Sequence, residues 1–220
     1  DKYESLITKY SRAVTEKYFD ETTGDFFNNI QGANAFAVDC GLGDERTIEN
    51  IVKKYSEKTE FDTGIFGTEI LLNVLYKTGN GELATRLLAN KGEVSFDFMR
   101  RAGATTLWEN WNGEASHSHP MFGVSTEFLF EEILGIKQGK ETVRYDQITI
   151  APAFPECLGF AKGKITTPHG EVAVSWKRCG NEIEICIDLC DGINASLVAF
   201  NKKMPLTIGK NEFVLNNPVT

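Results

Sequence analysis

No run of apolar residues in the 220-residue chain approaches the roughly 18 that a helix needs to cross a bilayer. The first ten residues, Asp1 to Tyr10, are charged where a secretory signal would carry its apolar core, so no membrane partner is expected. Basic residues are in deficit: 23 Lys and Arg stand against 31 Asp and Glu, a net charge of −8, with no basic block anywhere. That balance argues against a phosphate-neutralising surface, and so against nucleic acid as a partner. Cysteine is scattered. Cys40, Cys157, Cys179, Cys186 and Cys190 are odd in number and form no C-x-x-C pair with matching His spacing, which argues against a zinc site or a disulfide framework. No cofactor is expected. Reduced thiols suit a cytoplasmic setting more than a periplasmic or secreted one. The chain opens on Asp1 rather than Met and is expected to begin at a processed end or within a longer polypeptide.

What is present is globular material. Apolar residues make up 41% and charged residues 25%, with 15 Phe, which argues against disorder and low complexity. A chain of this length is expected to hold two modest domains. From Tyr3 to Leu134 the apolar residues recur at helical spacing. Leu6, Tyr10, Val14 and Tyr18 form one stripe, Ile48, Ile51, Val52 and Tyr55 another, and Ile70, Leu71, Val74 and Leu75 a third. Ala33, Phe36 and Ala37, then Leu83, Leu87 and Leu88, then Val124, Phe128, Leu129 and Ile133 bring the helices to about six. Short Gly-containing joints make neighbours antiparallel. Gly41 and Gly43 resemble the start of a phosphate loop, but they follow a helix rather than a strand and read as a helix stop. After about residue 140 the period becomes two: Val172, Val174 and Trp176 alternate, as do Ile183, Ile185 and Ile187, around a Gly180-Asn181 turn. Ser196 to Phe200 and Phe213 to Leu215 add strands, enough for a small antiparallel β-sandwich.

Chemistry concentrates in one segment. Gly103 to Gly113 reads GATTLWENWNG and is followed by Ser116-His117-Ser118-His119-Pro120, so two of three tryptophans and two of three histidines fall within twelve residues. Indole faces stack on the apolar face of a pyranose, and a carboxyl group partly shielded from water exchanges protons in a useful range. Glu109 is the candidate base on that reading. The alternative is that Trp108 and Trp111, three apart, are core residues on one helical face, with Glu109 a solvated neighbour.

Gly103 to Gly113 resembles the GATT-W-E-x-W signature of bacterial α-L-rhamnosidases. Further stretches resemble the same family in order: Thr23-Gly24-Asp25-Phe26 with Gln31 and Ala33; Asp62 to Thr68 with Leu71-Leu72; Gly81-Glu82-Leu83-Ala84; His119-Pro120-Met121-Phe122-Gly123; and Thr167-Pro168-x-Gly170 with Trp176. The resemblance implies the C-terminal half of an (α/α)6 barrel at residues 1–138, followed by a small antiparallel β-sandwich at 139–220. It implies inverting hydrolysis of terminal α-L-rhamnosides, with Glu109 as general base and His119 touching the sugar. Trp108 and Trp111 would wall the site, and Thr63 and Gly64 would lie near its mouth. Partners so implied are a rhamnose-containing glycoside or polysaccharide and the remainder of the barrel upstream, where the general acid would lie. Asp39, Asp44, Glu45 and Asp62 are acids of this chain, but none sits in a segment resembling the family's acid motif. Ser118 and Phe96 depart from the family's usual Asn and Trp. Two other readings of the sequence remain open: a carbohydrate-binding module that cleaves nothing, and a six-hairpin glycosidase with a different sugar.

Overall fold

The structure, a computed structural model, describes residues 2–216. The extreme ends of the two expected domains, residue 1 and residues 217–220, lie outside the described residues. The chain divides between Ser125 and Thr126 into two compact units, the first largely helical and the second a short helical stretch followed by β-structure, a division ahead of the expected boundary at 138/139.

In the helical unit, α1 (Lys2–Tyr18) leads into an antiparallel ribbon of β1 (Phe19–Asp20) and β2 (Asp25–Phe26). The helices α2 (Ala33–Asp39), α3 (Glu45–Lys58), α4 (Ile65–Lys77), α5 (Gly81–Leu88) and α6 (Phe96–Arg101) follow. Asp44 starts α3: its carboxylate accepts from the Arg46 and Thr47 amides while the Thr47 hydroxyl accepts from the Asp44 amide, a closed capping box. Gly41 ends α2, because its amide reaches the Val38 carbonyl at 2.9 Å and that of Leu42 reaches Ala37 at 2.8 Å. These are the paired bonds of a helix stop, not a phosphate loop. Helix α4 is the centre of the unit. It buries Leu71, Leu72 and Leu75 completely and touches α2, α5 and the 3₁₀ turn Pro120–Val124.

The apolar stripe of α1 behaves differently. None of its residues is buried, and Tyr3, Ile7 and Tyr10 are each more than 60% exposed. The last stripe is also not one α-helix. It runs from the 3₁₀ turn through α7 (Ser125–Phe128) into a π turn, Leu129–Ile133, which the Leu134 amide closes on the Leu129 carbonyl at 3.0 Å.

The β unit stacks two four-stranded sheets. One has the order β10 (Gly209–Asn216), β7 (Glu182–Leu189), β6 (Gly170–Cys179), β5 (Phe160–Thr167), all antiparallel. The other has the order β3 (Ile136–Gln138), β4 (Gln147–Ile150), β8 (Asn194–Ala199), β9 (Lys202–Pro205), in which β4 and β8 run parallel. The parallel pair arises because β5, β6 and β7 leave for the opposite sheet between them. Alternation sends Val172, Val174, Trp176, Ile183, Ile185 and Ile187 into one core with Ile148, Ile150 and Leu197 of the facing sheet. The Trp176 indole N–H donates to the Ile133 carbonyl at 2.8 Å, so this large ring is buried with its polar atom satisfied.

Candidate functional site

The Trp-rich segment is a folded-back loop, not a helix. Helix α6 stops at Gly103, whose φ of +85° is costly for a side chain, and the Gly103 and Ala104 amides close onto the Arg100 and Met99 carbonyls. From there the chain runs out to about Gly113 and returns. Two pairings join its limbs: the Glu109 amide donates to the Ser116 carbonyl at 2.8 Å, and the His119 amide donates to the Leu107 carbonyl at 2.8 Å. This register places the Glu109 and His119 side chains together. Glu109 Oε2 lies 3.9 Å from His119 Nδ1, with the two side chains 39% and 28% exposed. The same oxygen accepts from the Ser116 amide at 3.3 Å. A carboxylate so held keeps open lone pairs for water, beside a ring nitrogen able to donate to or accept from a hydroxyl.

The two tryptophans face inward. Trp108 is buried with Met99 and Phe122 and stacks on the His117 ring, with centroids 4.7 Å apart. Trp111 is half-buried, lies parallel to Phe61 at 5.3 Å, and packs on Phe122 at 4.1 Å and Phe96 at 5.1 Å. Its indole N–H donates to the Thr63 carbonyl at 2.7 Å, tying this loop to the one before α4. Thr63 is buried, its hydroxyl shared with that of Thr68 at 2.9 Å, whereas Gly64 is exposed. The structure thus brings Glu109 and His119 together at the surface and links Trp111 to Thr63 beneath. Phe61, Phe122 and His117 complete the support. Of these, only Phe122 and His117 lie near the motif in sequence.

Three of the other acids are engaged elsewhere, and Glu45 is exposed in the first turn of α3. Asp39 accepts from the Asn73 amide group at 3.2 Å, and Asp44 caps α3. Asp62 accepts from the Tyr55 hydroxyl and pairs with Lys54 at 2.7 Å and Lys58 at 3.7 Å. Burial alone would raise the Asp62 pKa, but the bonds from Lys54 and Tyr55 and the two ammonium charges together hold it below the usual range. Burial, then the bond to Asp62, pushes the Tyr55 hydroxyl up. The folded-state pKa of Asp62 is therefore the lower one. Its contribution is complete above the unfolded value of about 3.9 and is lost as pH falls through the folded value. Urea midpoints of the native polypeptide and its Asp62→Asn variant should differ at neutral pH and converge as acid is added. A constant gap would show that Asp62 ionisation does not stabilise the fold. Among the described residues no group of three or more His, Cys, Asp or Glu is arranged to hold a metal ion, and no helix is long and apolar enough to cross a membrane.

The chain thus joins helices and a loop that presents a carboxylate beside an imidazole to a following β-sandwich. Residues 1–133 match the bacterial α-L-rhamnosidase six-hairpin glycosidase domain, and residues 135–205 match the bacterial α-L-rhamnosidase C-terminal domain. The chain belongs to this α-L-rhamnosidase family. It is 31% identical over 234 residues to an α-L-rhamnosidase of Alteromonas sp. (strain LOR), covering 96% of this chain and 25% of that protein. It is 29% identical to one from Formosa agariphila, covering 96% of this chain and 26% of that protein. The crystal structure of Streptomyces avermitilis α-L-rhamnosidase complexed with L-rhamnose has the same fold, with a TM-score of 0.84 at 20% identity over 97% of this chain and 24% of that one. The chain spans about a quarter of the length of the curated relatives it matches.

Proposed function

We propose that this chain carries the general-base side of an inverting α-L-rhamnosidase site. Glu109 takes a proton from a water molecule as that water attacks C1 of a terminal α-L-rhamnoside. The C1–O bond to the aglycone breaks, and the departing oxygen is protonated by a carboxylic acid outside these 220 residues. His119 holds a sugar hydroxyl, and the exposed Gly64 lies at the rim, while Trp111 braces the loop from beneath. Trp108 and Thr63 act from below as supports. The substrate is a rhamnose-bearing glycoside or polysaccharide, a reading supported by the family to which the chain belongs.

The observation that carries this proposal is the Glu109–His119 pair, an open carboxylate and an imidazole 3.9 Å apart on a braced loop. Asp39, Asp44 and Asp62 are occupied by structural bonds. An inverting pair also needs its second carboxyl group about 6.5–9.5 Å away, leaving room for the water. The test is stereochemical. When the native polypeptide hydrolyses an aryl α-L-rhamnoside, proton NMR of the first turnovers should show β-L-rhamnose before mutarotation. First release of the α-anomer would mean retention and would overturn the assignment of a base acting through water.

A further inference from the structure

We infer that His117, which stands two residues before the candidate sugar-binding His119, is a positioning residue for Glu109. The inference rests on the reading of Glu109 as the base. Its ring makes two contacts at once. Nε2 lies 2.7 Å from the Gly113 carbonyl, and because a carbonyl only accepts, that nitrogen carries the proton. The ring face lies on the Trp108 indole at 17° between planes. The His117 carbonyl in turn accepts from the Thr106 hydroxyl. Gly113 lets the clasp close, since it sits at φ +73° and a Cβ there would come within 2.8 Å of the Trp108 ring. One side chain therefore ties the tip of the loop to its return limb and presses that limb onto a buried indole. Glu109 lies between these anchors, bonded through both its amide and its carboxylate to Ser116, the residue before His117.

His117 is itself exposed, but its ring covers a face of the buried Trp108 indole, so removing it costs some stability, and the urea midpoint is measured beside the kinetics. Releasing the clasp frees Glu109 to shift, and a misplacement of about 1 Å costs on the order of 10²-fold in rate. In the native polypeptide, His117→Ala should lower kcat about 10- to 100-fold with KM changed by less than about threefold. His117→Phe keeps the stack without the bond, and His117→Gln keeps a donor without the stack. Each should fall between wild type and His117→Ala, and these two carry the test if the alanine variant does not fold. The deciding measurement is a double-mutant cycle with Glu109→Gln: a residue that acts through Glu109 costs nothing further once the base is gone. A kcat for His117→Ala within about twofold of wild type, or an equal loss in the Glu109→Gln background, overturns the role of His117 alone. Wild-type turnover of Glu109→Gln itself overturns the base reading, and this inference with it.

Discussion

Replacing Glu109 by Gln in the native polypeptide should lower kcat on an aryl α-L-rhamnoside by about 10²–10⁴-fold, the usual contribution of a positioned general base. The expected change in KM is small. The amide keeps the shape of the carboxylate, and its oxygen can still accept the Ser116 amide that now sits 3.3 Å away. Its NH₂ group can still point at the imidazole, so the walls that bind the ground state stay in place. What is lost is the lone pair that takes a proton from water, an interaction that grows only as the transition state forms. Such a loss appears in kcat and in kcat/KM together. Turnover near wild type would show that the carboxylate beside His119 is a solvated neighbour. A large rise in KM at constant kcat would instead make Glu109 a sugar-binding group and return the carbohydrate-binding reading to the front.

The division into helices and sheets is legible because it depends on period alone. Val172, Val174 and Trp176 must share a face if the segment is extended, and they do. The proximity of Glu109 and His119 follows from a short connection between them. Several features are not legible, each because it depends on distant partners or on competition between periods. The spacing of Trp108 and Trp111 fits a helix, yet Gly103 and Gly113 impose left-handed backbone at both ends, and the loop pairs its own limbs instead. The indole of Trp111 finds its acceptor on Thr63, 48 positions earlier, and no local pattern announces that contact. The parallel pairing of β4 with β8 depends on where β5 to β7 go, which alternation within each strand does not encode. The left-handed residues Phe27, Asn28, Asn29 and Gln31 are partly signalled by the two asparagines, whose short amides tolerate that conformation. The Lys54 ammonium that binds the Asn29 carbonyl at 2.5 Å is not signalled at all.

Trp111→Ala should cost about 3 kcal/mol of stability, the low end for deleting a core aromatic because the ring is half-buried. It removes the parallel contact with Phe61, the contacts with Phe122 and Phe96, and the bond to the Thr63 carbonyl. Thr63 is buried, and the remaining partner of its carbonyl is the Thr68 hydroxyl at 3.4 Å, so leaving that oxygen weakly satisfied adds to the cost. Trp111→Phe separates the two parts, since it retains an aromatic ring against Phe61 and Phe122 and deletes only the N–H, at about 1–2 kcal/mol. Because Glu109 is two residues away on the same loop, turnover should fall with stability in the alanine variant and survive largely intact in the phenylalanine variant. Urea midpoints and steady-state kinetics on the same preparations decide the matter. A rise in KM in both variants, with midpoints unchanged, would mean that the indole binds the sugar rather than bracing the loop that presents the base.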